Sequence, residues 1–187
     1  MTRLNPQPNA RQPNSHVAKF IANLNELDAG GKARLKRDAG KDLSEARSLG
    51  LFYRLLPHGT PVERENAYFL AATLFPLADS GRTGCLGDSL YRARDPDSKK
   101  NKGLDRRIEI LLDADISQLA FRLRQAVRFL KSHRVSINWQ ELTEDVLHWN
   151  SPYRTVQKKW ARAYFKLPTS PGNEEMHTLD ATQKFDE

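Results

Sequence analysis

Cysteine is nearly absent from this chain of 187 residues: Cys85 stands alone. One thiol makes neither an intrachain disulfide nor a cysteine-based zinc site, which fits a reducing cytoplasm. No run of eighteen apolar residues occurs, and the polar opening TRLNPQPNARQPNS lacks the apolar core of a signal peptide. A soluble, cytoplasmic protein without membrane attachment is expected. Strict apolar-polar alternation is missing too; VSINW comes nearest and is too short to predict a strand. Acids are missing where bases gather, with none between Asp115 and Glu141 and none between Asn150 and Asn173.

Helical spacing fills the rest. Val17, Phe20, Ile21, Leu24 and Leu27 form a first stripe that begins at Ser15 as N-cap and ends at Gly30 and Gly31. In KARLKRDAG, Asp38 is placed to pair with Arg34 at i,i+4. Asp42 and Glu45 suggest a capping box for a helix through Leu43, Ala46, Leu49, Phe52, Tyr53 and Leu56, closed by Pro57. Thr60, Pro61 and Glu63 read as N-cap, first-turn proline and box glutamate of the next helix, which is apolar around more than one face and ends or bends at Pro76. Leu86, Leu90 and Ala93 suggest a short helix, and Leu104, Ile108, Leu111 and Leu112 a longer one. Ile116, Leu119, Ala120, Leu123, Ala126, Val127 and Leu130 form the most regular stripe. Asn138 and Glu141 cap a helix facing inward with Trp139, Leu142, Val146 and Trp149. Ser151 and Pro152 start the last helix, with Tyr153, Val156, Trp160, Ala163, Tyr164 and Leu167 inside.

The expectation is an all-α protein of about eight or nine helices in two packed helical bundles. Residues 1–14 read as a disordered lead-in, 15–94 as an N-terminal bundle, 95–103 as a basic linker, 104–167 as a C-terminal bundle and 168–187 as a disordered acidic tail.

Residues 1–173 carry 29 Lys and Arg against 18 Asp and Glu, a net of +11; the last fourteen carry one Lys against five acids, a net of −4. A basic body implies a polyanionic partner. The bases sit on helices: Arg34, Lys36 and Arg37; Arg106 and Arg107; Arg122, Arg124, Arg128 and Lys131; Arg154, Lys158, Lys159 and Arg162. On the 116–132 wheel Arg124, Arg128 and Lys131 share one flank of the apolar stripe and Arg122 lies on the other. Left unpaired, such a set grips sugar-phosphate without reading bases, or serves as a solvated basic face. Phe121 and Phe129, off the stripe, either stack bases or pack against a neighbouring helix or subunit.

Catalytic patterns are not found. His16, His58, His133, His148 and His177 show no i,i+4 pairing, so no metal site or cofactor is expected. The glycine-rich loop DSGRTGCLG lacks the GK[ST] ending of a phosphate cradle. Cys85 has no neighbouring base to activate it. Glu141 and Asp145, at i,i+4, suggest either a magnesium pair, and with it a nuclease, or a solvated acidic face. A helical, sequence-specific transcription regulator is the other alternative.

Several blocks together carry a resemblance. LDAGGKARLKR at 27–37, FYRLLP at 52–57, CLGDSLYR at 85–92, RRIEILLDAD at 106–115, LAFRLRQAVRFL at 119–130, INWQELTEDVLHW at 137–149 and VQKKWARAYF at 156–165 resemble, in this order, the CasB family, the small subunit of the type I-E CRISPR interference complex Cascade. The resemblance implies a non-enzymatic two-bundle protein, present in two copies in an RNA-guided assembly. It also implies contacts to backbone subunits and the large subunit, and a basic surface that helps hold guide RNA, target strand and displaced DNA strand. Arg34, Arg37, Arg107, Arg124 and Arg128 lie in matching blocks. Lys36 stands where the first of two adjacent basic residues is expected, a departure that preserves charge. Residues 1–14 and 168–187 lie outside the resemblance.

Overall fold

The computed structural model describes residues 15–82 and 84–166. The expected disordered segments at 1–14 and 168–187, and Leu167, lie outside them. Within the described residues there are nine α-helices: α1 Ser15–Asn25, α2 Ala29–Lys36, α3 Leu49–Leu55, α4 Val62–Leu74, α5 Leu86–Arg92, α6 Lys102–Leu112, α7 Ile116–Ser132, α8 Trp139–Leu147 and α9 Thr155–Phe165. The all-α expectation holds.

α4 explains how they are arranged. Its residues Tyr68 through Leu74 are all buried, so neighbours must cover most of its circumference. Phe20 of α1 meets Tyr68 edge-on at 4.8 Å, and Phe52 of α3 meets Phe69 in the same way at 5.2 Å. α2, α7 and α8 pack around the same helix. α5 lies along α9, so close that a Cβ on Gly87 would strike the backbone of Trp160. One apolar cluster runs from Val17 to Tyr164, joining helices on either side of residues 95–103. VSINW contributes one isolated bridge: Gly81 donates to the Ile137 carbonyl at 2.7 Å, and Ile137 donates to Asp79 at 2.9 Å.

Several local expectations are corrected. Gly30 and Gly31 do not end the first helix; they form the first turn of α2, where the Asp28 carboxylate caps Gly31 N–H at 2.6 Å. Asp38 turns inward instead of pairing with Arg34. Its Oδ2 accepts from Arg47 N–H, Ser48 N–H and Ser48 O–H at 2.9, 2.8 and 2.7 Å, and its Oδ1 meets Lys41 Nζ at 3.0 Å. That carboxylate occupies the backbone donors at 47 and 48, which breaks the helix expected from Asp42. Only a short 3₁₀ turn, Leu43–Glu45, precedes α3, and Asp42 caps nothing. Thr60 donates to the Pro57 carbonyl at 2.7 Å, leaving Pro61 at the N-cap of α4. α9 begins at Thr155, after Arg154 in the left-handed region, so Tyr153 is 75% exposed and not inside. In residues 95–103 the buried Asn101 ties the chain together, accepting from Asp95 N–H at 2.9 Å and donating to the Asp95 carbonyl at 2.8 Å.

Burial alone would raise the Asp38 carboxyl, but the hydrogen bonds from Ser48, Lys41 and Arg47 outweigh it and hold the group below the ordinary 3.8. A lowered carboxylate stabilises the fold above its unfolded pKa, and that stability is lost as pH falls through the folded value. Asp38→Asn is expected to cost about 2 to 3 kcal/mol at neutral pH. The same substitution is expected to flatten the loss of stability in acid, as read by urea denaturation across pH; an unchanged acid slope would refute this role for the carboxylate.

Candidate nucleic-acid interface

α7 fixes the largest share of the basic side chains. Leu119, Leu123, Val127 and Leu130 are fully buried and set its rotation. Ile116, expected in the stripe, is instead 52% exposed in the first turn, where Asp115 caps the Gln118 N–H at 3.0 Å. With that rotation the two flanks of α7 face different neighbours. Arg122 and Arg107 line an open groove of about 450 Å³ beside α6, and Arg128, expected on the flank of Arg124 and Lys131, lines the same groove instead, its long side chain reaching across the outer face of α7. Leu90, Leu104, Ile108 and Leu111 supply apolar lining, with Phe129 beside them. Arg122 Nε is buried there without a hydrogen-bond partner, and its guanidinium carbon lies 5.4 Å from the exposed Phe121 ring.

Arg124 takes the opposite side. Its stem crosses the turn at Gly40, whose φ of 82° favours glycine and where an added Cβ would approach Arg124 Cδ to 2.9 Å. Arg124 therefore meets the turn that follows Arg34, Lys36 and Arg37, all three exposed on α2 and its cap. Its own Nε is buried and unpartnered. Arg34, Lys36, Arg37, Arg106, Arg107, Arg128 and Lys158 are exposed and make no side-chain hydrogen bond or ion pair with the described residues. Arg162 is exposed on α9.

Three expected free cations are paired, by partners far along the chain. Lys131 meets both oxygens of Asp79 at 2.9 Å. Arg154 reaches the Leu112 carbonyl at 2.7 Å and Asp113 at 2.9 Å. Both pairs are exposed, worth about 0 to 1 kcal/mol each, and leave the cations exchangeable. Lys159 differs: its ammonium lies 2.7 Å from Glu141 and bonds Asp145, whose side chain is 3% exposed. Trp160 Nε1 donates to the other Asp145 oxygen at 2.6 Å. Burial would lower the Lys159 ammonium, but hydrogen bonds to Asp145 and Glu141 hold it above the ordinary lysine range. Lys159 is thus part of the fold. Glu141 and Asp145 form neither a magnesium pair nor a solvated face, because one lysine occupies both.

Cys85, His133 and His148 are similarly committed. Burial pushes the Cys85 thiol up to about 11. Nδ1 of His133 and of His148 lies at 2.9 and 2.8 Å from the carbonyls of Phe129 and Glu144. Among the described residues no cluster of three His, Cys, Asp or Glu is placed to hold a metal, and no helix is long and apolar enough to cross a membrane. Phe129 packs on His133, ring centroids 4.1 Å apart, whereas Phe121 is 53% exposed. Sequence reasoning missed the groove: Ile110 and Gln125 face it, and Ile110 at i+3 from Arg107, off the core face of α6, was the one signal.

Fold and surface define an all-helical protein that displays cations on several of its helices. A family model described as CRISPR-associated protein Cse2 matches residues 31–165. A CRISPR-associated protein Cse2 of Thermus thermophilus is 35% identical over 155 residues, 79% of this chain and 88% of its own. The crystal structure of CasB from M. ruber superposes with a TM-score of 0.67 at 28% identity, covering 81% of this chain and 93% of that one. A chain of a CRISPR RNA-guided surveillance complex shares the fold, with a TM-score of 0.68 at 21% identity, over 81% of this chain and 92% of that one. The chain belongs to the CRISPR-associated Cse2 family, also called CasB.

Removing Lys159 strands a buried carboxylate, so Lys159→Ala is expected to lower stability by about 3 to 5 kcal/mol in urea unfolding. Lys158→Ala, one residue away and exposed, is expected to leave the urea midpoint in place; equal effects would contradict the division of the two lysines.

Proposed function

We propose that this protein is a non-catalytic subunit of a cytoplasmic, RNA-guided DNA surveillance complex of the Cascade type, holding nucleic-acid backbone without reading sequence. Guide RNA, target strand and displaced DNA strand are its polyanionic partners; backbone subunits, the large subunit and a second copy of itself are its protein partners. The observation that carries the reading is the set of exposed cations on α2 and its cap, α6 and α7 that are unpaired among the described residues, above all Arg34, Arg37, Arg107 and Arg128. Membership of a CRISPR-associated family and likeness to a chain of an RNA-guided surveillance complex support the biological setting.

Guanidinium groups presented on rigid helices offer forked donors to phosphate oxygens at little ordering cost. Phosphate contacts position a strand and carry no sequence information, so affinity should follow salt and ignore base identity. A transcription regulator would instead insert one helix into the major groove and discriminate between duplexes.

Gel shifts on unrelated single-stranded RNAs and DNAs test this. Each phosphate-holding cation removed is expected to reduce the slope of log affinity against log salt by about 0.7. Arg34→Ala with Arg37→Ala is therefore expected to flatten it by about 1.4, alike for every sequence. Arg128→Glu suits charge reversal better than Arg124→Glu, because Arg124 also packs on the Gly40 turn. Affinity indifferent to salt, or strong preference for one short duplex, would overturn the reading.

A further inference from the structure

The groove between α6 and α7 is unlike a bare phosphate rail. Arg107, Arg122 and Arg128 stand over an apolar floor that includes Leu104 and Ile108, and Arg122 Nε is buried without an acceptor. An occupant that satisfies such a groove brings acids and apolar groups on one segment. Residues 174–187 have that composition: Glu174, Glu175, Asp180, Asp186 and Glu187, interspersed with Met176, Leu179 and Phe185.

The chain's exit point places this segment within reach. At the end of α9, Tyr164 donates to Asp105 at 2.6 Å and Lys166 Nζ lies 4.4 Å from the Tyr91 ring centroid. Asp105 and Tyr91 are the sequence neighbours of Leu104 and Leu90, which line the groove. Twenty-one residues follow Lys166. A chain of that length reaches at most roughly 70 Å, more than the width of two packed helices.

We infer that the acidic C-terminal segment docks in the α6/α7 groove of its own chain and competes there with nucleic acid. The competition rests on the holding function proposed above; the docking does not. Tethering sets the effective concentration of the segment near the millimolar range, so weak contacts suffice to occupy the groove in the free protein. A long polyanion, engaging the cations of α2 as well, displaces it. The free subunit would thus be kept from binding stray nucleic acid.

Three measurements on the full-length protein test this. With Phe185 replaced by benzoylphenylalanine, photo-crosslinks are expected on α6 or α7 beside the groove. They are expected to fall about fivefold in a variant with Arg107→Glu and Arg128→Glu, both exposed positions that should spare the fold. Separately, a variant with Glu174→Gln, Glu175→Gln, Asp180→Asn, Asp186→Asn and Glu187→Gln should bind a single-stranded oligonucleotide about tenfold more tightly at low salt. That gain should shrink when Arg107 and Arg128 are also reversed. Crosslinks off the groove, or unchanged by the reversal, overturn the docking even if nucleic acid is bound. Crosslinks in the groove with no nucleic-acid binding by any variant keep the docking and overturn the holding function. A groove that crosslinks to thiouridine-bearing RNA equally in the parent and the tail-neutralised variant overturns the competition.

Discussion

Seven consecutive buried residues on α4, Tyr68 through Leu74, leave that helix no solvent-facing side in its second half. A helix in this position is stable only when several others wrap it, since each large apolar side chain it buries contributes about 1.5 to 3 kcal/mol. α1, α2, α3, α7 and α8 do the wrapping. α1, α3, α7 and α8 each offer an apolar stripe that fixes their rotation, and α2 is anchored by the buried Leu35. The outward faces are what remains, and on α2, α6 and α7 those faces are basic. The placement of the cations is thus a consequence of what α4 and its cluster demand.

Fixed rotation also sorts the cations into kinds. Lys159 neutralises a carboxylate that Trp160 draws into the interior, and removing it would leave a buried charge alone. Lys131 and Arg154 make exposed pairs whose net worth is small, so phosphate can replace the carboxylate without loss of fold. Arg124 divides its role, its stem packed on the Gly40 turn and its charge near the basic end of α2. Arg34, Arg37, Arg107 and Arg128 make no side-chain hydrogen bond or ion pair with the described residues.

The stripes were legible in the sequence because helical period and burial are local: Leu119, Leu123, Val127 and Leu130 on α7, or Trp139, Leu142 and Val146 on α8, needed no tertiary knowledge. Helix starts were legible where the cap bonds its own turn, as at Asn138. They were not legible where a side chain from elsewhere claimed the donors: Asp38 reaches nine and ten residues ahead to Arg47 and Ser48, and the expected Asp42 helix collapses to one 3₁₀ turn. The charges follow the same rule. Local spacing showed correctly that no acid lies near Lys131, Arg154 or Lys159, yet their partners sit 52, 41 and up to 18 residues away. The groove needed the packing of α6 on α7, which no spacing within either helix encodes.

Holding and cutting nucleic acid make opposite demands on the same surface. Hydrolysis needs carboxylates kept free to bring a metal against the backbone, and such groups repel phosphate until the metal arrives. Here Glu141 and Asp145, acids at the right helical spacing, are spent on Lys159, and Asp145 is sealed further by Trp160. The exposed guanidinium groups Arg34, Arg37, Arg107 and Arg128 are spread over α2 with its cap, α6 and α7, so no one of them stands out as a single dominant contact. A surface of this kind gains affinity by adding contacts along a strand, each weakened by salt, and loses it as readily once the strand leaves. If the cations hold nucleic acid as proposed, many such contacts let strands exchange more readily than one deep site would.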